Sequence, residues 1–191
     1  MNESDLMFKD EIQELVAEAY RSLDEPDGPA TRYYSEEQLA VLPEGARRWA
    51  LGVGNPLPWG RIEEGMTVVD LGCGSGIDVL LAAHQVGPEG RAIGVDLLPE
   101  MIERAEALAA EAGLDNTEFL RTEMEDLPLV DDSVDVVTSN GAINLSARKS
   151  RVLAEAHRVL RPGGQLVTAD LTINEEDLPP EILTHPSAWA G

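Results

Sequence analysis

The chain has 191 residues, 43% of them hydrophobic and 4% aromatic, which suits one α/β domain with a buried core. With 36 acidic against 14 basic residues, a net charge of -22, the surface repels phosphate backbones, and no nucleic-acid partner is expected. No apolar run approaches the roughly 20 residues that cross a bilayer, and the opening MNESDLMFKDE is acidic, unlike a secretory signal; the expectation is a soluble cytoplasmic protein with no membrane partner. Cys73 is the only cysteine, which excludes an internal disulfide and a zinc site built from several thiolates, and no metal is expected.

Residues 5–23 predict an amphipathic helix, with Leu6, Ile12, Leu15, Val16, Ala19 and Leu23 at near-helical spacing. The stretch 24–31 (DEPDGPAT) reads as a loop, Ser35 with Gln38 as a capping box opening a short helix, and 54–60 (GNPLPWG) as turns. From residue 66 short β-branched runs alternate with helical stretches. Strands are predicted at 66–71, 91–96, 117–121, 134–139 and 165–170, and helices at 77–86, 99–112 and 147–160. In the last helix Val152, Leu153, Ala156, Val159 and Leu160 form one stripe, Ser146 is a cap, and Arg161-Pro162-Gly163-Gly164 is a stop signal. This alternation predicts a Rossmann-like three-layer α/β sandwich with a mainly parallel sheet. The expected division is an N-terminal helical cap over 1–45, a cofactor-binding domain over 46–175 and a tail over 176–191.

The chemistry concentrates at the end of the first strand, in Asp70-Leu71-Gly72-Cys73-Gly74-Ser75-Gly76. Glycine permits positive φ and lets a ligand lie against the backbone, and ligands of such sheets bind beyond the carboxyl ends of the strands. Asp70 before the glycines would repel a pyrophosphate but attract an ammonium. Asp96 ends the second strand 20 residues after Gly76, where a carboxylate accepts from ribose hydroxyls. The pair suits a ligand with a ribose and an amino-acid end. Asp70 and the absence of Gly-x-Gly-x-x-Gly spacing disfavour a nicotinamide cofactor. Asp78 is placed to cap or charge-stabilise the next helix, and Cys73 reads as a small residue in a tight turn.

The loop 70–76, with Gly94-Val95-Asp96, Leu127-Pro128 and 160–164 (LRPGG), resembles the class I S-adenosylmethionine (SAM) dependent methyltransferases. The resemblance implies that Gly72, Cys73, Gly74 and Gly76 wrap the methionine part of SAM. It implies that Asp96 holds the ribose, Leu97 and Met124 adjoin the adenine, Glu123 meets the adenine amino group, and Asn140 lies near the sulfonium. A small molecule is the implied methyl acceptor, and Tyr33, Tyr34, Asn55 and Asn144 are candidate pocket groups, none of them a convincing base. His84 and His157 read as surface or packing residues; Trp49 and Trp59 suit either a substrate mouth or packing.

Several separated segments narrow the resemblance: Tyr33-Tyr34-Ser35, 42–46 (LPEGA), 51–56 (LGVGNP), 99–102 (PEMI) and 139–145 (SNGAINL) follow the order of arsenite methyltransferases. That family holds arsenic through cysteines in segments where this chain has Val53 and Gly141, so the arsenic site as known is absent. The resemblance also implies a closing antiparallel hairpin, whereas only five strand segments are legible. The last would then be an open edge, for a second copy or a partner chain to complete. Two functions stay open at this level: methylation of a small molecule, or a non-catalytic SAM-binding subunit needing a partner.

Only two lysines are present, Lys9 and Lys149. A lysine-poor, acidic surface resembles that of salt-adapted proteins; an ordinary acidic protein is the alternative. Salt adaptation predicts a higher melting temperature in molar KCl than at about 0.1 M, where the screening length is about 10 Å. Thermal melts showing no gain in salt would rule it out.

Overall fold

In the computed structural model, the described residues are 3–23 and 26–172, with side chains described from residue 11 onward. Helix α1 (Glu3–Arg21) leads through a turn at Pro29–Tyr33 into the short helices α2 (Glu36–Ala40) and α3 (Glu44–Arg48). Strands β1 (Thr67–Leu71), β2 (Arg91–Asp96), β3 (Thr117–Arg121), β4 (Val134–Asn140) and β5 (Leu160–Ala169) follow, with α4 (Ile77–Val86), α5 (Pro99–Ala112) and α6 (Lys149–Val159) between them. The predicted capping box is present: the Gln38 amide donates to Ser35 Oγ at 3.2 Å, and the Ser35 amide to Gln38 Oε1 at 3.0 Å.

The strands form one sheet in the order β3-β2-β1-β4-β5, every neighbouring pair parallel. This is the expected Rossmann-like α/β fold. The order reverses between β1 and β4, which opens a crevice at their carboxyl ends. The registered residues Val68, Ala92 and Val136 join the core of α4 and α5, while Val69, Ile93 and Val137, one residue on, join the core of α6. The central strands are therefore apolar in both directions and read as continuous runs rather than alternations. Ala30, Tyr34, Leu42 and Ala46 lie in the same core as α4.

Four local expectations are corrected. Helix α6 stops at Val159, and the 161–164 run is not a terminator outside the sheet: it belongs to β5 as a bulge, with Leu160 opposite Val134 and Gln165 opposite Val136. Ser146 is not the N-cap of α6; Arg148 holds that position, and Ser146 Oγ accepts from its amide at 2.9 Å. Leu153 is exposed and leaves the stripe to Val152, Ala156 and Val159. Leu23 lies past the end of α1 and is exposed. Among the described residues no strand pairs with the outer edge of β5, and no helix is long and apolar enough to cross a membrane. The tail over 176–191, with His185, lies outside the described residues.

One backbone approach sets the turn after β1. The Gly72 and Cys73 amides both donate to the Val95 carbonyl, at 2.8 and 2.9 Å, which pulls the loop against β2 at Gly94. A Cβ on Gly94 would sit 2.8 Å from Cys73 Sγ and 2.8 Å from the Phe119 ring. Gly94→Ala is expected to lower stability to urea by about 1–3 kcal/mol through overpacking; an unchanged unfolding midpoint would show that the loop can retreat.

Candidate functional site

A crevice enclosing about 1140 Å³, counting space open to solvent, lies at the switch point between β1 and β4. Its floor is the glycine loop. Gly72 (φ +69°) and Gly74 (φ +53°) take conformations that favour glycine. A Cβ on Gly72 would collide with Ala142, whereas one on Gly74 would meet nothing within 4 Å. The Gly74 position therefore leaves room for a ligand beside bare backbone. Asp70, Gly72, Cys73, Gly74, Asp96, Leu97, Glu123, Met124 and Asn140, all expected from the sequence, line this one crevice.

Five expected residues do not line it. Gly76 is the left-handed N-cap of α4 and packs toward Ala105 and Phe119. Tyr33 is part-exposed, with the Arg32 guanidinium 4.8 Å from its ring centroid. Tyr34 is buried behind the wall of the crevice. The Asn55 amide donates to the Tyr33 carbonyl and Gln38 Oε1, and Asn144 Nδ2 donates to the Leu171 carbonyl at 2.6 Å. Trp49 lines the crevice and carries the Arg104 guanidinium 3.6 Å from its ring centroid; Trp59 is exposed, as are His84 and His157.

The sequence missed one wall. Gln13, Val16, Ala17 and Tyr20 of α1 line the crevice; their i, i+3, i+4, i+7 spacing is the signal that was available. Ala17 packs with Leu98 and Met101, and Arg21 Nε donates to Glu100 Oε1 at 2.8 Å, so α1 is seated on the start of α5. On the far side, Glu155 and Arg158 of α6 pin the segment after β3. The Leu127 amide donates to Glu155 Oε2 at 3.0 Å, and Arg158 donates to the Leu127 and Leu129 carbonyls. Glu125, which accepts from Ser146 Oγ at 2.5 Å, completes that wall.

Electrostatically the crevice is acidic. Asp70 and Asp78 are buried and Asp96 nearly so. Asp96 accepts from the Gly74 and Leu98 amides, each at 2.9 Å, and Asp70 from Thr138 Oγ1 at 2.8 Å. Of the two roles expected for Asp78, the cap falls to Gly76 while Asp78 stands in the first turn of α4, and its carboxylate accepts from the Tyr34 hydroxyl at 2.8 Å and Asn140 Nδ2 at 3.0 Å. Burial, with the charges of Asp78 and Asp96 adding to it, holds the Asp70 carboxyl well above the usual range, and burial pushes Asp78 up to about 6. Asp96 is raised by burial too, and the Cys73 thiol by burial and the nearby carboxylates. The groups that hold these carboxylates are neutral donors; the charges acting on them are those of other carboxylates. A ligand that brings positive charge and hydroxyl donors fits such a site, and SAM, with its sulfonium, ammonium and ribose, is of that kind.

Residues 62–190 match the methyltransferase domain family. The chain belongs to that family, and with this sheet order and loop it is a class I SAM-dependent methyltransferase domain. An arsenite methyltransferase of Halobacterium salinarum is 40% identical over 167 residues, 87% of this chain and 42% of that protein. A demethylmenaquinone methyltransferase of Listeria monocytogenes is 34% identical over 110 residues, 58% of this chain and 46% of that protein. The arsenic(III) S-adenosylmethionine methyltransferase of Chlamydomonas reinhardtii superposes with a TM-score of 0.72 at 40% identity, over 84% of this chain and 54% of that one. The chain thus spans about half the length of the relatives it matches.

A carboxyl group that titrates higher in the folded chain than in the unfolded one binds its proton more readily when folded, so stability falls as pH rises between the two values. For Asp78 that window runs from 3.8 to about 6. In about 1 M salt, which screens exposed charges, ligand-free protein is expected to resist urea better at pH 5 than at pH 8. The difference is on the order of 2 kcal/mol; equal stability at the two values would contradict the burial of ionised carboxylates.

Proposed function

We propose that this domain binds SAM in the crevice and transfers its methyl group to a small molecule that thiolates do not hold. The observation that carries the reading is the set of buried carboxylates around a bare glycine backbone, held among the described residues by neutral hydrogen-bond donors. Asp70 is assigned to the ammonium side, Gly72, Cys73 and Gly74 to the methionine chain, and Asp96 to the ribose hydroxyls. Leu97 and Met124 are assigned to the adenine faces, and Glu123 to its amino group. Residues 1–45 act as the lid segment, 46–175 as the cofactor domain and 176–191 as a tail.

When bound, SAM supplies a methyl on a sulfonium, which an acceptor lone pair displaces in line. The chain's part is to orient the two and exclude water. Burial keeps the Tyr20 hydroxyl and the Cys73 thiol protonated, and Asp70 and Asp78 are engaged by Thr138, Tyr34 and Asn140. None of these stands as a free base, which favours an acceptor whose lone pair needs no proton removed.

Val53 and Gly141 support the exclusion of thiolate-held arsenic. A Cβ on Gly141 would lie 3.4 Å from Val53 Cγ1, so the two positions that carry cysteines in the arsenite family adjoin here without sulfur. Calorimetry is expected to give binding of SAM and S-adenosylhomocysteine and none of NAD, with Asp96→Ala weakening SAM about 10- to 100-fold. With methyl-labelled SAM no label should reach arsenite. Binding of NAD in place of SAM would overturn the cofactor assignment, and labelled methylarsenicals the acceptor assignment.

A further inference from the structure

The amide of Asn140 lines the crevice, yet its hydrogen-bonding capacity is spent inside the protein. Its Oδ1 accepts from the Val53 and Gly54 amides at 2.9 and 3.0 Å, using both lone pairs. Its Nδ2 donates to the Gly54 carbonyl at 2.8 Å and to Asp78 Oδ2 at 3.0 Å, using both protons, with the Tyr34 hydroxyl a further 3.1 Å away. The Tyr34 hydroxyl donates to the other Asp78 oxygen at 2.8 Å. Tyr34 and Asp78 are 7% and 2% exposed, so water does not compete for these bonds. A Cβ on Gly52 would collide with the Asn140 amide, so the backbone of residues 52–54 lies flat against that side chain. Leu51 and Gly52, at the near end of this segment, line the crevice.

We propose that Tyr34, Asp78 and Asn140 are positioning residues: their closed set of hydrogen bonds fixes the 52–54 backbone against the end of β4, and so sets the wall that the acceptor meets. Asn140 on this account does not touch the sulfonium; it acts through the backbone it holds. Asp78 is the hub because a carboxylate accepts from two donors at once, and those donors come from segments 44 and 62 residues away along the chain. The catalytic part of the claim rests on the function proposed above; the part concerning 52–54 does not.

Hydrogen exchange read by NMR tests the backbone claim directly. In Asp78→Asn, which leaves one acceptor oxygen for the two donors of Tyr34 and Asn140, the Val53 and Gly54 amides should exchange about tenfold faster. In Tyr34→Phe, which removes one hydroxyl and keeps the ring in the core, they should exchange about threefold faster. Amides of β1 and β2 should keep their rates in both variants. For Tyr34→Phe, SAM affinity by calorimetry should stay within about threefold, while kcat falls about 10- to 100-fold, as expected of a misplaced reactant. Unchanged exchange at Val53 and Gly54 in both variants would overturn the proposal, as would loss of SAM affinity in step with kcat. If the wild-type chain binds no SAM, the proposed function falls, and faster exchange at 53 and 54 still supports the tether. If Asp78→Asn does not fold, Tyr34→Phe decides alone.

Discussion

Burial of carboxylates held by neutral donors is the constraint on which this site depends. Asp70, Asp78 and Asp96 stand around one turn, and the charges of Asp78 and Asp96 raise the affinity of Asp70 for its proton. Taking such groups out of water costs several kcal/mol each, and hydrogen bonds from Thr138, Tyr34, Asn140 and two backbone amides offset only part of it. A ligand that brought positive charge into the crevice would offset the remainder.

The rest of the fold serves to hold that arrangement still. Parallel pairing on both sides of β1 fixes Asp70 beside Gly94 and Thr138, and the double acceptance by the Val95 carbonyl folds the glycine turn back over β2. The walls come from distant parts of the chain: α1 on the side of Leu98 and Met101, and the segment after β3 held by Glu155 and Arg158.

Similar chains include an arsenite methyltransferase and a demethylmenaquinone methyltransferase, which shows that one frame is used with unlike acceptors; a fold constrains chemistry less than a site does. In this chain the wall near Val53, Gly141, Leu51 and Gly52 is small and apolar. Val53 and Gly141, which adjoin at that wall, bring no sulfur to it.

The order of elements, the parallel sheet and the glycine turn with its two acidic neighbours were legible in the sequence because each depends on residues close along the chain: apolar runs, a capping box, glycines at fixed offsets. The roles of Asp78, Tyr34 and Asn140 were not legible. A helix-start aspartate, a loop tyrosine and a strand-end asparagine each have an ordinary local reading, and only the tertiary fold brings them within 3.1 Å of one another. The α1 wall was visible as a helix but not as a wall, since periodicity tells which face is apolar and not what that face covers. The 161–164 bulge was misread for the same reason: Pro and Gly signal a break in the chain's direction, and whether the break lies outside a sheet or within its edge is set by the neighbouring strand. Sequence determined what each segment is; the tertiary structure decided which buried groups must share one space, because desolvation acts on neighbours in space regardless of their distance along the chain.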